Sequence, residues 1–100
     1  MRVISRRVLK EYGDCHAEVR GPLSAWYEEA KKAHWKTSQD IKNEYASASF
    51  LEDNRVIFNI KGNDYRLVVH LKYAMGVVMI KWIGTHAEYD RIDAAKVSIS

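Results

Sequence analysis

The chain has 100 residues, of which 47% are hydrophobic and 29% charged, an ordinary balance for a soluble globular protein. We therefore expect a single domain over residues 1–100, with one core and no room for a second. No apolar run approaches the roughly 18 residues that a membrane span needs, and no apolar stretch follows the charges of residues 1–7 as it would in a secretory signal. The net charge of +3 permits a polyanionic partner but does not demonstrate one.

The single cysteine, Cys15, excludes an internal disulfide and is compatible with a reducing cytoplasm, which is the location we expect. Cys15 and His16 are adjacent, and this spacing does not match that of zinc ligands. No group of carboxylates stands out as a site for a catalytic metal ion. We therefore expect neither a metal nor another cofactor.

The first half of the sequence has helical periodicity. Ser5 can cap a first helix, which Gly13 would end. Pro22 predicts the start of a second helix, because a proline at the first helical position loses no hydrogen bond. Thr37 can cap a third, short helix over residues 39–45. The apolar face predicted for the second helix consists of Leu23, Trp26, Tyr27, Ala30 and His34.

The second half of the sequence is typical of β-strands joined by tight turns. The predicted strands are residues 50–51, 55–61, 65–73 and 77–83, and a further short strand can form at residues 2–4. Thr85 can cap a short final helix over residues 86–90, with Glu88 at the capping-box position. Helices followed by a meander predict an α+β fold, with the N-terminal helices packed on one face of a small antiparallel sheet.

Successive side chains of a strand point to opposite faces, so the alternation predicts which residues meet the helices. The apolar set consists of Val56, Phe58, Ile60, Tyr65, Leu67, Val69, Leu71, Val78, Ile80 and Trp82. The opposite face carries polar and basic residues and no acidic one, and we call it the basic face: Asn59, Lys61, Arg66, His70, Lys72 and Lys81. His86 follows just past the last strand, at the rim of this face.

A structural explanation of the basic face is open. The sheet face opposite the helices must be polar somewhere, and lysine and arginine protect exposed strands from unwanted pairing. A single histidine such as His86 is often only a surface residue or a helix cap. The tryptophans, Trp26, Trp35 and Trp82, are expected to anchor the core rather than to stack on bases.

If the basic face binds RNA, the chemistry can be stated. Cleavage by the RNA 2′-hydroxyl needs a group to take that proton, cations to stabilise the charge on phosphorus and an acid for the leaving 5′ oxygen. Lysine and arginine supply the cations without a metal. His86 is of the residue type suited to proton transfer near neutral pH.

Two long segments of the second half resemble a known family. Residues 56–63 (VIFNIKGN) and 65–69 (YRLVV) resemble the central strands of HigB-type toxins, and residues 83–90 (IGTHAEYD) resemble their closing motif. Residues 25–27 and 36–46 are also similar to the family. The similarity extends over nearly the whole chain, to residue 93.

The resemblance implies a RelE-like fold and an endonuclease of the RelE/HigB superfamily that cuts messenger RNA in the ribosome and so inhibits translation. It also implies a HigA-type antitoxin with a helix-turn-helix domain, through which the complex would bind operator DNA and repress its own operon. The positions that match the family's motifs are Asn59, Lys61, Asn63, Arg66, Lys81, His86, Tyr89 and Asp90.

From the residues and the resemblance together we assign roles. The catalytic set is Lys61, Arg66 and Lys81, which would hold phosphate, and His86, which would transfer protons. The RNA-binding set is Asn59, Asn63, His70, Lys72 and Tyr89. A structural role for Tyr89 and Asp90, locking the last helix against the sheet, stays open. Two other functions also stay open, namely an RNA- or ribosome-binding module without catalysis and a degenerate toxin that only binds its antitoxin.

Overall fold

A five-stranded sheet lies under three helices in the computed structural model, which describes residues 1–98. The elements are β1 (Arg2–Ile4), α1 (Arg6–Cys15), α2 (Ala17–Lys32), α3 (Ser38–Glu44), β2 (Ser49–Leu51), β3 (Arg55–Ile60), β4 (Tyr65–Lys72), β5 (Val77–Thr85) and α4 (His86–Tyr89), with a 3₁₀ turn at Tyr73–Met75. The strand order is β1-β5-β4-β3-β2; β1 runs parallel to β5 and the other pairs are antiparallel. The predicted α+β fold is confirmed.

The main core lies between the helices and one face of the sheet, the inner face. Phe58 of β3 is at its centre, where the ring centroids of Trp26, Trp35 and Tyr45 lie 5.3, 6.1 and 5.0 Å from its own. Trp26 and Trp35 are each only 2% exposed, which confirms them as core anchors. No helix of the described residues is long and apolar enough to cross a membrane.

The predicted helix boundaries at Gly13 and Pro22 are wrong, and Ser5 precedes α1 without the predicted side-chain cap hydrogen bond. Gly13 lies inside α1, and a Cβ there would be 3.3 Å from Cα of Arg20, so this glycine allows α1 and α2 to approach closely. Pro22 lies inside α2, which begins at Ala17. The hydrogen bond that Pro22 cannot donate is outweighed by packing of the preceding turn, where Val19 is fully buried.

A β-bulge in β5 moves Trp82 away from its predicted position. Val69 pairs with Ile80, whereas Val68 pairs with Trp82, so Lys81 is an extra residue without a partner on β4. The extra residue reverses the alternation. Ile83 therefore faces the core, and Trp82 lies half-buried on the opposite, outer face. The assignment of Trp82 to the apolar set and to the core is thus wrong.

The C-terminal segment lies against one end of the outer face. Nη1 of Arg55 donates hydrogen bonds to the carbonyl oxygens of Ala94 and Val97, at 3.0 and 2.7 Å. Ile57 and Val68 alternate onto this face yet are only 5% and 0% exposed, and they lie outside the main core. The basic face is therefore interrupted at its centre by buried apolar side chains.

Candidate active site

Polar side chains from four parts of the chain meet at one end of the sheet. Ile60, Tyr65 and Thr85 lie side by side on β3, β4 and β5. The backbone N–H of His86 donates to the carbonyl of Asp64 at 2.9 Å and ties α4 to the β3–β4 turn. A shallow depression forms here, which we call the end pocket. It is lined by Glu18, Lys61, Asn63, Asp64, Tyr65, Thr85, His86 and Ala87.

Lys61 enters the end pocket from the turn that follows β3. Its φ of 54° and the φ of 65° at Gly62 are both in the left-handed region, as in the tight turns that join hairpin strands. The Lys61 ammonium lies 3.8 Å from the Asp64 carboxylate, and both side chains are exposed. Because an exposed ion pair of this kind contributes at most about 1 kcal/mol, Lys61 is free to contact a ligand phosphate instead.

His86 is the first residue of α4, and a capping box fixes this helix at its start. The Thr85 hydroxyl accepts from the Glu88 N–H at 3.1 Å, and the Glu88 carboxylate accepts from the Thr85 N–H at 2.8 Å. His86 Nε2 lies 3.9 Å from Oδ1 of Asp90, and its ring is exposed to the end pocket. The imidazole is therefore accessible to substrate on a backbone that is locally rigid.

Arg66 lies on the outer face beside the end pocket, opposite Asn59 and Gly84 on the neighbouring strands. Its Nη1 donates to the carbonyl of Asn63 at 2.9 Å, and its guanidinium carbon lies 5.9 Å from the centroid of the Tyr89 ring. Burial raises the pKa of Tyr89, and the nearby Arg66 charge opposes this only partly. Tyr89 is therefore neutral at physiological pH and offers a ring surface and a hydroxyl rather than an anion.

Trp82 adds a second aromatic ring to this part of the outer face, with its centroid 6.2 Å from that of Tyr89. A guanidinium next to two half-buried rings is suited to hold a phosphate while bases stack beside it. The sequence interpretation missed Trp82 because strict alternation placed it in the core. The bulge at Lys81 leaves no reliable signal in a single sequence.

The predicted site residues fall into two groups in space. Those at the end pocket or next to it are Asn59, Lys61, Asn63, Arg66, His86 and Tyr89. His70 and Lys72 lie four and six residues further along β4 from Arg66, which at about 3.3 Å per residue is roughly 13 and 20 Å away. Lys81, half-buried in the bulge, lies between the two groups.

Glu18, near the start of α2, is a pocket residue that the sequence analysis did not identify. Its carboxylate accepts a hydrogen bond from the hydroxyl of Tyr65. This bond is the main reason why the pKa of Glu18 is lowered. A backbone hydrogen bond and the charges of His16 and Lys61 lower the pKa further, whereas desolvation raises it by less. The same hydrogen bond is the main reason why the pKa of Tyr65 is raised to about 12.

Glu18 was missed because the predicted second helix began at Pro22, which left Glu18 in a connecting segment. In residues 1–98, no group of three or more histidine, cysteine or acidic side chains is placed to hold a metal ion.

Fold and site together define a class of small α+β protein that presents cations, an imidazole and aromatic rings at one end of its sheet. The chain belongs to the HigB toxin family, since the model of that family, the RelE-like toxic component of a toxin–antitoxin system, matches residues 19–92. The resemblance drawn from residues 56–69 and 83–90 is thus confirmed. As the toxic component of such a system, the protein has an antitoxin as its counterpart.

Curated relatives agree with this assignment. The chain is 25% identical over 92 residues to the mRNA interferase toxin HigB of Escherichia coli strain K12, covering 90% of this chain and 88% of the relative. The mRNA interferases HigB of Escherichia coli O157:H7 and of Shigella flexneri match with the same identity and coverage.

Proposed function

We propose that this toxin is an endoribonuclease that cleaves messenger RNA bound to the ribosome and so inhibits translation. The observation that carries the proposal is the meeting of Lys61 and His86 in the end pocket, with Arg66 beside it on the outer face. The relatives named mRNA interferases match the chain along most of its length, which supports the same reaction.

The proposed reaction uses the RNA 2′-hydroxyl as its nucleophile. The 2′ oxygen attacks the adjacent phosphorus, the bond from phosphorus to the 5′ oxygen breaks, and the products are a 2′,3′-cyclic phosphate and a 5′-hydroxyl end. One proton leaves the 2′-hydroxyl and one joins the 5′ oxygen, and His86 takes part in this transfer. Lys61 and Arg66, and Lys81 from the bulge in β5, stabilise the negative charge that builds on the phosphoryl oxygens.

The remaining predicted residues bind RNA on either side of the cut. Asn63 lines the end pocket and Asn59 lies opposite Arg66, so both are within reach of the scissile nucleotides. Tyr89, together with Trp82, offers ring surfaces for stacking. His70 and Lys72, at the far end of β4, contact the backbone of more distant nucleotides.

The shallow, exposed form of the site supports the proposed dependence on the ribosome. The end pocket is shallow and its charged groups are exposed, so it holds a flexible RNA strand weakly by itself. A ribosome that presents the message in one conformation removes the entropic cost of ordering that strand. We further propose that the toxin acts in the cytoplasm and that a HigA-type antitoxin with a helix-turn-helix domain neutralises it and binds operator DNA.

Induced expression in a bacterial host tests the proposal, with growth and the 5′ ends of cellular mRNA as readouts. We expect the wild type to arrest growth and to produce new internal 5′ ends, and K61A/R66A to do neither. The matched control is R7A/K10A, which removes two exposed cations of α1 that do not line the end pocket. Normal growth without new ends, from soluble wild-type protein, would favour the non-catalytic or degenerate alternatives.

A single substitution tests the proton-transfer step. We expect H86Q to reduce the rate of cleavage about 100-fold or more, because general acid–base catalysis contributes at least that much. Circular dichroism establishes whether the variant is folded. Cleavage at the wild-type rate by folded H86Q would remove His86 from the mechanism.

A further inference from the structure

The end pocket contains a carboxylate that the proposed reaction does not use. Glu18 lines the same pocket as Lys61 and His86, so RNA whose scissile phosphate binds at Lys61 would lie close to the Glu18 carboxylate. Phosphate itself is repelled by a carboxylate. The part of the substrate that faces Glu18 is therefore a sugar or a base.

Glu18 is poorly suited to proton transfer. A good general base has a pKa near the working pH, whereas the pKa of Glu18 is held below the ordinary range of a carboxylate, chiefly by the Tyr65 hydroxyl. Tyr65 also fixes the position of the carboxylate, since its ring is buried and packs edge-on against Tyr12 at a centroid distance of 6.1 Å. Glu18 is thus a fixed, ionised acceptor with lone pairs left over for a ligand.

An ionised carboxylate accepts hydrogen bonds and donates none, so it distinguishes bases by their donors. Guanine, adenine and cytosine each carry an exocyclic amino group with two N–H donors. Uracil carries none, and its single ring N–H is flanked by two carbonyl oxygens that a carboxylate repels. Recognition of an amino group by a carboxylate is an established form of base readout.

We propose that Glu18 is a specificity-determining residue that accepts a hydrogen bond from the exocyclic amino group of a base next to the scissile phosphate. The enzyme then discriminates against uracil at that position. The inference rests on the proposed endoribonuclease function and adds a substrate preference to it. Tyr65 is a positioning residue for this contact, because it holds the Glu18 carboxylate in place.

The test induces full-length wild type, E18Q and E29Q and maps the 5′ ends of cellular mRNA. The base frequencies on both sides of each cut are then compared with the overall base frequencies of the same transcripts. E18Q keeps an oxygen that can accept from Tyr65 but replaces the other oxygen with a donor. E29Q is a matched control, since Glu29 lies on the same helix and accepts from a tyrosine hydroxyl, that of Tyr45, at 2.9 Å, outside the end pocket.

We expect uracil at one flanking position to be about tenfold under-represented in wild-type and E29Q cuts, the discrimination typical of one such contact. In E18Q this depletion is lost while cutting continues. The proposal would be overturned by wild-type cuts without uracil depletion, or by an unchanged depletion in E18Q. If E18Q does not accumulate as folded protein, the wild-type base frequencies alone decide the question. Absence of any new ends in the wild type is a different outcome, in which the proposed function itself fails.

Discussion

Gly84 has a specific packing role beside the candidate site. A Cβ at this position would overlap the six-membered ring of Trp82, two residues earlier on the same strand, and would lie 3.0 Å from Oε1 of Glu88. The glycine therefore lets the indole lie flat on β5, where it reaches Tyr89. The absence of one side chain shapes the aromatic surface that we propose to bind RNA.

We expect G84A to lower the free energy of unfolding by about 1–3 kcal/mol, because the added methyl group displaces the indole ring. Urea denaturation measures the change. The control is S24A, at an exposed position of α2, where the higher helix propensity of alanine stabilises the protein by about 0.5 kcal/mol. Equal stability of G84A and the wild type would show that the indole does not pack on Gly84.

Individual site residues differ in how well the sequence predicts them. Lys61, Arg66 and His86 stand in motifs of consecutive residues, so a single sequence places them near a turn or a strand end. Glu18 contacts Tyr65 across a separation of 47 residues, and nothing in the residues around Glu18 indicates that contact. Local patterns thus predict the cations and the imidazole but not the carboxylate that faces them.

At the scale of elements, α4 depends on its cap more than any longer helix does. It has only four residues, so packing contributes little and the capping box at Thr85 contributes much. The same box occurs at Thr37, where Asp40 takes the place of Glu88 and α3 follows. The sequence predicted the caps at Thr37 and Thr85, the second with Glu88 as its partner, because a capping box is local in sequence.

We expect T85A and T37A each to lower the free energy of unfolding by about 1 kcal/mol, but only T85A to reduce mRNA cleavage, because α4 carries His86 and Tyr89. Urea denaturation and 5′-end mapping are the two measurements. Equal loss of cleavage in both variants would mean that stability, not the position of α4, limits activity.

The T85A and T37A variants should be compared at neutral pH. The backbone N–H of Thr85 holds the pKa of Glu88 below its ordinary value of about 4.3. Because the pKa of Glu88 is lower in the folded than in the unfolded protein, its ionised carboxylate stabilises the fold fully when the pH is above the unfolded-state pKa. This contribution is lost as the pH falls through the folded-state pKa. At pH 7 the Glu88 half of the capping box is therefore fully formed, and the substitution tests the Thr85 half alone.

At the scale of the whole molecule, the C-terminal segment is held by a residue far from it in the chain. Arg55 is the one buried charged side chain of the described residues, and its two carbonyl partners, Ala94 and Val97, are 39 and 42 residues away. This contact anchors the segment at the end of the outer face where Arg55 pairs with His70 of β4, away from Arg66. An RNA strand that runs from Arg66 to His70 and Lys72 would therefore pass beside this segment.

We expect R55M to lower the free energy of unfolding by about 1.5–3 kcal/mol, the range for hydrogen bonds from a charged donor. Hydrogen exchange of the Val97 amide, which is bonded to the Asp93 carbonyl at 2.9 Å, should become faster. The control is R20M, whose side chain is exposed and makes only a 3.7 Å ion pair with Asp14. Unchanged exchange in R55M would show that the segment is held by other contacts.

The sequence by itself determined the α+β class, the strand pairing across short turns, the helix caps at Thr37 and Thr85, and the family. These features depend on residues within a few positions of each other, where alternation and hydrogen bonding leave a readable pattern. Only the tertiary structure decided that α2 continues through Pro22, that the bulge at Lys81 turns Trp82 outward and that Glu18 faces the end pocket. Each of these features depends on packing or hydrogen bonding between segments that are distant in the sequence. Such tertiary contacts can override the local conformational preference of a residue, because folding buries the segments against each other.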